Sequence, residues 1–239
     1  MEKIKIDPHV HLNISPNIKT TEEYALFKDR EIKKVCKARG IDGVVYTDHM
    51  HHPYFWKTQK LIPYNKSDLV RISGAEITTN KKKDVLVFGS LGELRKLDES
   101  FHEKLSSGFF PKLENLYEKV RELDLPIASA HHFRKVKDFS DREYDRFDAL
   151  ELDIRNARNV EKIRKTASDH GLSIIAGSDA HTPYSVGIAW TEFKDLDSFE
   201  FESCKAKGIK PNKRTEIYRK CKETRDKIKE VRQMVPMDQ

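Results

Sequence analysis

Short apolar runs alternate with longer amphipathic stretches along this chain, the pattern of strands joined by helices. The runs predict strands over Lys3–Asp7, Gly43–Asp48, Val70–Thr78, Asp84–Gly89, Pro126–His131, Ala149–Asp153 and Ser173–Asp179. Helical spacing predicts helices over Thr21–Arg39, closed by Gly40, over Pro111–Leu123, and over Val160–His170, closed by Gly171. In the second of these, Leu113, Leu116, Tyr117 and Val120 share one face. Seven such strands, mostly with helical crossovers, favour a barrel over an open sheet. No low-complexity linker or internal repeat divides the chain, so residues 1–208 read as one barrel domain and 209–239 as a charged helical extension.

Composition narrows the class. At 239 residues the chain can bury a sizeable core, and its 35% charged residues against 37% in the AVILMFWYC set make it rather polar. The recurrent Val/Ile/Leu runs separate it from disordered sequences. No window approaches the roughly 18 uncharged apolar residues of a membrane span. The N-terminus runs straight into a strand without a signal-peptide core, so the cytoplasm is the expected address and no membrane partner is expected. Cys36, Cys204 and Cys221 lack CxxC spacing, which argues against a disulfide framework and a thiolate metal site. The net charge of +6, much of it between Lys205 and Lys229, suits polyanions and leaves phosphorylated small molecules and nucleic acid both open as partners.

Residues with metal-ligand chemistry fall at the ends of these strands. Asp7-Pro-His9-Val-His11 places two imidazoles at i and i+2, on one side of an extended chain. Thr47-Asp48-His49 ends the second strand, Glu76 lies on the third, Ala130-His131-His132-Phe-Arg134 ends the fifth, and Gly177-Ser-Asp179-Ala-His181 ends the seventh. In an α/β barrel the carboxyl ends of the strands form one face, so these side chains would converge. Histidine and carboxylate donors without cysteine suit Mn, Zn or Fe and do not choose among them. Arg134, with His132 beside it, and Arg155 are the candidate substrate-binding groups, because a guanidinium grips phosphate bidentately. His51 and His52 read as polar loop residues, Tyr54, Phe55 and Trp56 as packing of that loop, and His102 and His170 as surface positions.

The same stretches, in this order and spacing, resemble the PHP (polymerase and histidinol phosphatase) domain family of metal-dependent phosphoesterases over roughly residues 1–210. The resemblance implies a distorted (β/α)7 barrel with two or three divalent metal ions at its carboxyl face. Carried over by position, His9, His11, His49, Glu76, His131, Asp179 and His181 are the implied ligands, with Glu76 bridging two ions. It also implies a metal-activated water as the catalytic group, with no separate protein residue assigned. Three departures stand out: Pro16, next to Asn17, occupies a position where the family often has Asp, Asp84 stands where many members have His, and His132 replaces the usual Pro. Asp84 is therefore an additional candidate ligand, and the departures bear on a third ion more than on the first two.

These readings converge on hydrolysis of a phosphate ester of a small metabolite, nucleotide or oligonucleotide end. Two alternatives differ in class: a non-catalytic RNA-binding PHP-like barrel, and a TatD or amidohydrolase-type metal hydrolase. Oligomeric state is not legible in the sequence.

Overall fold

A computed structural model describes residues 3–13, 21–62, 64, 69–132, 139–153, 159–193 and 205–208. Among these residues nine strands form one sheet: β1 Ile4–Val10, β2 Gly43–Tyr46, β3 Val70–Thr78, β4 Asp84–Phe88, β5 Ile127–Ser129, β6 Ala149–Asp153, β7 Ser173–Gly177, β8 Ala189–Phe193 and β9 Lys205–Gly208. Their order is β7-β6-β5-β4-β3-β2-β1-β8-β9. The sheet curls into a nearly closed barrel. At the seam the chain beyond β7 meets the end of β1, where His11 N–H donates to the Ala180 carbonyl at 3.0 Å and Ala180 N–H to that of His9 at 3.2 Å. The expected distorted α/β barrel of PHP type is therefore present, and all seven expected strands lie within a few residues of their expected bounds.

Two features of the sheet differ from the expectation. β4 runs antiparallel to both β3 and β5, because residues 79–83 are too few for a crossover and turn the chain back as a hairpin. β8 and β9, neither of which the sequence reading anticipated, extend the sheet antiparallel beyond β1.

The helices are α1 Glu22–Arg39, α2 Phe55–Gln59, α3 Leu91–Glu99, α4 Leu113–Glu122, α5 Asp141–Tyr144 and α6 Val160–Asp169. The Thr21 hydroxyl caps α1, and Gly40 ends it at φ 63°, a left-handed conformation that glycine adopts without a Cβ penalty. α3 was not anticipated, although Ser90 and Glu93 form a reciprocal capping box at its start. α4 buries Leu113, Leu116 and Val120 as the spacing predicts. No helix among the described residues is long and apolar enough to cross a membrane. Cys36 is buried, whereas Cys204, Cys221 and the extension expected over 209–239 lie outside the described residues.

Strand parity decides what faces the barrel interior. Ile6, Val45, Leu86, Phe88, Ala128, Ala149, Ile175 and Phe193 fill its lower part, with Val70 and Ile72 packed against them. The opposite faces of β3 to β6 pack through Ala75, Ile77, Val85, Val87, Ile127 and Leu150 on the layer that includes α3, α4 and α6. Following the inward parity upward, Val70, Ile72 and Gly74 lead to Glu76, Ala149 leads to Glu151, and Ile175 and Gly177 lead to Asp179. Because β4 is reversed, its first residue, Asp84, reaches the same level. An apolar plug thus supports a polar mouth.

Candidate metal centre

β1 changes parity on its way to that mouth. Ile4 and Ile6 face inward, yet so do His9 and His11, because the pairing with β2 shifts register between Asp7 and Val10. Pro8 sits inside that irregularity, where a missing N–H costs no ladder hydrogen bond. The buried Asp7 carboxylate anchors the bend. Its oxygens accept from Ser178 N–H at 3.0 Å, the Ser178 hydroxyl at 2.6 Å and Gly187 N–H at 2.7 Å. Burial raises Asp7 to about 6 even against these donors.

Glu76 lies at the centre, fully buried. Its Oε2 is 3.5 Å from His9 Nε2, 3.4 Å from His11 Nε2 and 3.1 Å from His49 Nδ1, and its Oε1 is 2.8 Å from His131 Nε2. Asp179 closes the other side: Oδ1 is 3.2 Å from both His11 Nε2 and His181 Nδ1, and Oδ2 is 3.6 Å from His131 Nε2. The centroid of the His181 ring lies 4.2 Å from that of His11, the two rings tilted by 34°. Asp84 accepts from the Thr78 hydroxyl at 2.7 Å and turns its other oxygen to within 4.0 Å of His131 Nδ1. All seven residues that the resemblance marks as ligands, with Asp84 as an eighth, therefore share one mouth.

The electrostatics divide the cluster. Burial opposes the charge on Glu76, but His49 and His131 outweigh it and hold the carboxyl well below its usual range. Burial and the neighbouring His181, His9 and His49 push His11 well below the ordinary imidazole value, so its ring is neutral and able to donate electrons. His9 goes the other way: burial disfavours its cation, yet Glu151 and then Glu76 raise it to about 10.

The donor set fits a divalent cation. Glu76 Oε1 and Oε2 and His49 Nδ1 are buried with no hydrogen-bond partner, although buried polar atoms are normally satisfied. Ligands about 2.0–2.1 Å from a tetrahedral ion stand about 3.3–3.4 Å apart, a spacing that lies inside the 2.8–3.5 Å spread of the imidazole nitrogens around Glu76. Among the described residues four groups are close enough to hold an ion: His11, His49 and His181; His9, His11 and Glu76; Glu76, Asp84 and His131; and His9, His131 and Glu151.

Other sequence-predicted residues lie elsewhere. His132 is buried against Tyr144, whose hydroxyl is 3.1 Å from its Nε2, and is stacked near Phe139. The cause is local: His131 adopts φ 39°, and this left-handed residue turns its own ring into the mouth and the next one outward. Arg134, Arg155, Pro16 and Asn17 lie outside the described residues. Asp48 sits behind His11 instead of joining the cluster, accepting from Asn13 N–H at 2.7 Å. Phe55 is core, and Trp56 donates to Asp98 at 3.0 Å, so the loop after β2 packs as expected. His51 stands near the mouth, its ring 5.2 Å from that of His49 and 5.3 Å from that of Phe110.

Glu151 is the residue that the sequence reading missed. It is fully buried on β6, with His9 Nδ1 at 2.8 Å. The available signal was a carboxylate at an inward position of an otherwise apolar strand, Ala149-Leu-Glu151-Leu, at the height where the neighbouring strands carry their site residues.

Comparison with known proteins agrees with this architecture. Residues 157–203 match the family model described as PHP-associated. No curated protein matches the chain in sequence. Among solved structures, PsfC from Pseudomonas syringae PB-5123 is similar with a TM-score of 0.75 at 19% identity, over 92% of this chain and 99% of that one. The lesion-specific endonuclease PfuEndoQ from Pyrococcus furiosus gives 0.63 at 20% identity, and the match covers 86% of this chain but only 58% of the endonuclease. A protein from Bifidobacterium adolescentis assigned as a metal-dependent phosphoesterase gives 0.51 at 15% identity, over 75% of this chain and 88% of that one. At these identities the likeness is one of fold. With the PHP-associated segment, it bears out the resemblance carried by the motifs.

Proposed function

We propose that this chain, a PHP-type barrel carrying a PHP-associated segment, is a metal-dependent phosphoesterase acting on a small phosphorylated metabolite, a nucleotide or an oligonucleotide end. The observation that carries the reading is Glu76: a fully buried carboxylate ringed by four imidazole nitrogens within 3.5 Å. Such a cluster is costly to bury unless a cation completes it. His9, His11, His49, Glu76, His131, Asp179 and His181 are the proposed ligands, and Asp84 the additional one, for two or three Mn, Zn or Fe ions. Divalent ions held there would supply an activated water and polarise a phosphoryl oxygen.

The protein's own share is positional. Glu76, reached by imidazoles on both of its oxygens, would offer an oxygen to each of two ions. Neutral His11 offers a lone pair at no cost in charge repulsion. Lys82 Nζ lies 4.1 Å above the Phe110 ring beside His51, a cationic lip for an anionic substrate at the rim. Arg134 and Arg155 are proposed to add guanidinium contacts to phosphate, and the basic extension over 209–239 to contact longer polyanions.

The test is a panel of phosphate monoesters and diesters, including nucleotides and damaged DNA, run on protein reconstituted separately with Mn, Zn and Fe. Turnover that depends on the added ion is expected. Stoichiometric RNA binding without turnover of any ester would instead establish the non-catalytic barrel, and turnover of amides or lactones alone the amidohydrolase reading.

A further inference from the structure

We propose that Glu151 is a positioning residue that fixes two of the metal-binding side chains at once, and that it is not itself a ligand. The proposal rests on the metal-centre reading above. Glu151 projects from β6 into the space between β1 and β5, and each of its oxygens is committed. His9 Nδ1–H donates to Oε1 at 2.8 Å, and the His131 main-chain N–H donates to Oε2 at 2.7 Å.

Each bond has a separate consequence. The first fixes the His9 ring with a proton on Nδ1 and turns Nε2 to the mouth, 3.1 Å from His11 Nε2 and 3.5 Å from Glu76 Oε2, where a bound cation would take the place of any proton on Nε2. A carboxylate behind a ligating histidine sets ring orientation and basicity in this way. The second bond holds His131 in the φ 39° conformation that turns its ring inward, a conformation most residues avoid. One carboxylate thereby sets both imidazoles, whose ring centroids stand 5.2 Å apart. His9, His131 and Glu151 lie close enough together to be mistaken for a ligand triad. A metal there would have to break the Nδ1–H bond that presents His9 to Glu76.

Glu151→Gln separates these roles. A glutamine has one acceptor oxygen for two N–H donors. In either flip of the amide, the His9 Nδ1–H or the His131 N–H therefore faces an NH2 group. In the metal-free full-length protein, nitrogen-15 NMR of the histidine rings should show a protonated Nδ1 on His9, assigned by its absence in His9→Ala. In Glu151→Gln this signal should be lost, or the His131 amide resonance strongly displaced. Zn(II) and Mn(II) affinity, measured by competition with a chromogenic chelator, should fall about 10- to 100-fold with the same number of ions bound at saturation.

An unchanged His9 ring and His131 amide, or affinity within twofold of wild type, would overturn the proposal. So would the loss of one whole ion with the others bound at wild-type affinity, the signature of a ligand. If Glu151→Gln does not fold, Glu151→Asp keeps both acceptors but shortens their reach, and the same readouts should move in the same direction. Wild-type protein that binds neither ion would defeat the metal-centre reading, whereas the ring and amide resonances of the metal-free protein would still decide the role of Glu151.

Discussion

Glu151 reaches His9 because position 177 is glycine. A Cβ at Gly177 would overlap Glu151 Oε1 and stand 2.7 Å from the His9 Cβ, closer than packed carbons approach. The strand end that carries Asp179 therefore leaves room for a contact between β6 and β1. Gly177→Ala should displace Glu151 or His9, lower metal affinity at least tenfold and reduce stability by about 1–3 kcal/mol. Chelator competition and thermal unfolding of the same preparation check this, and wild-type values in both would mean that the seam is more compliant than its packing indicates.

Removing a proposed ligand should have a larger effect on chemistry than on fold. Asp179 adopts φ 46°, a conformation asparagine tolerates, so Asp179→Asn leaves the backbone in place while removing the charge. Asp179→Asn and His9→Ala should each lower phosphoester turnover by about 100-fold or more, and elemental analysis should show less than the wild-type metal content. Near wild-type turnover in either variant would remove that residue from the ligand set.

Asp84 decides between two and three ions. Lys81 and Lys83 both bind Glu143, at 3.2 and 3.0 Å, while Asp84 turns toward Thr78 and His131. Asp84→Ala should bind one ion fewer than wild type and lose much of its turnover. Unchanged metal content and turnover would make Asp84 an anchor of the β3–β4 hairpin.

Stability at acid pH should depend on Glu143. Burial disfavours its charge, but Ser140 N–H at 2.7 Å, the Ser140 hydroxyl at 2.9 Å and the two lysine ammoniums outweigh it, taking the carboxyl from 4.5 to about 2. A depressed carboxyl stabilises the fold above its unfolded value. That contribution is complete above about pH 4.5 and is lost as pH falls toward 2. Glu143→Gln should be less stable than wild type at pH 6 by about 1–3 kcal/mol, with the difference closing toward pH 2. Denaturant unfolding at several pH values measures it, and a constant difference across that window would refute the charge-based account.

The extension over 209–239 carries no site motif. A chain ending at residue 208 should turn over a small phosphoester at the full-length rate, and its affinity for long polyanions should fall. Loss of small-substrate turnover in a folded truncated protein would show that the extension serves the chemistry.

Local pattern made much of this molecule legible. Seven of the nine described strands, the three expected helices and their caps follow from spacing, Thr21, Gly40 and Gly171, because periodicity and capping act within a turn or two of chain. The imidazoles and carboxylates at the strand ends were legible for the same reason: each motif is local, and barrel geometry gathers strand ends without fixing exact contacts. The sequence could not show the partnership of His9 with Glu151, 142 positions away, which the closure of the barrel creates. Nor could it show that His131 turns inward while His132 packs outward, since one left-handed residue held by a distant carboxylate reverses the parity. The direction of β4 and the place of β8 beside β1 were settled by the room that short connections leave between neighbouring strands. Periodicity tells which side of its own strand a residue occupies; which residue it meets across the barrel depends on register and closure, which only the packed sheet decides.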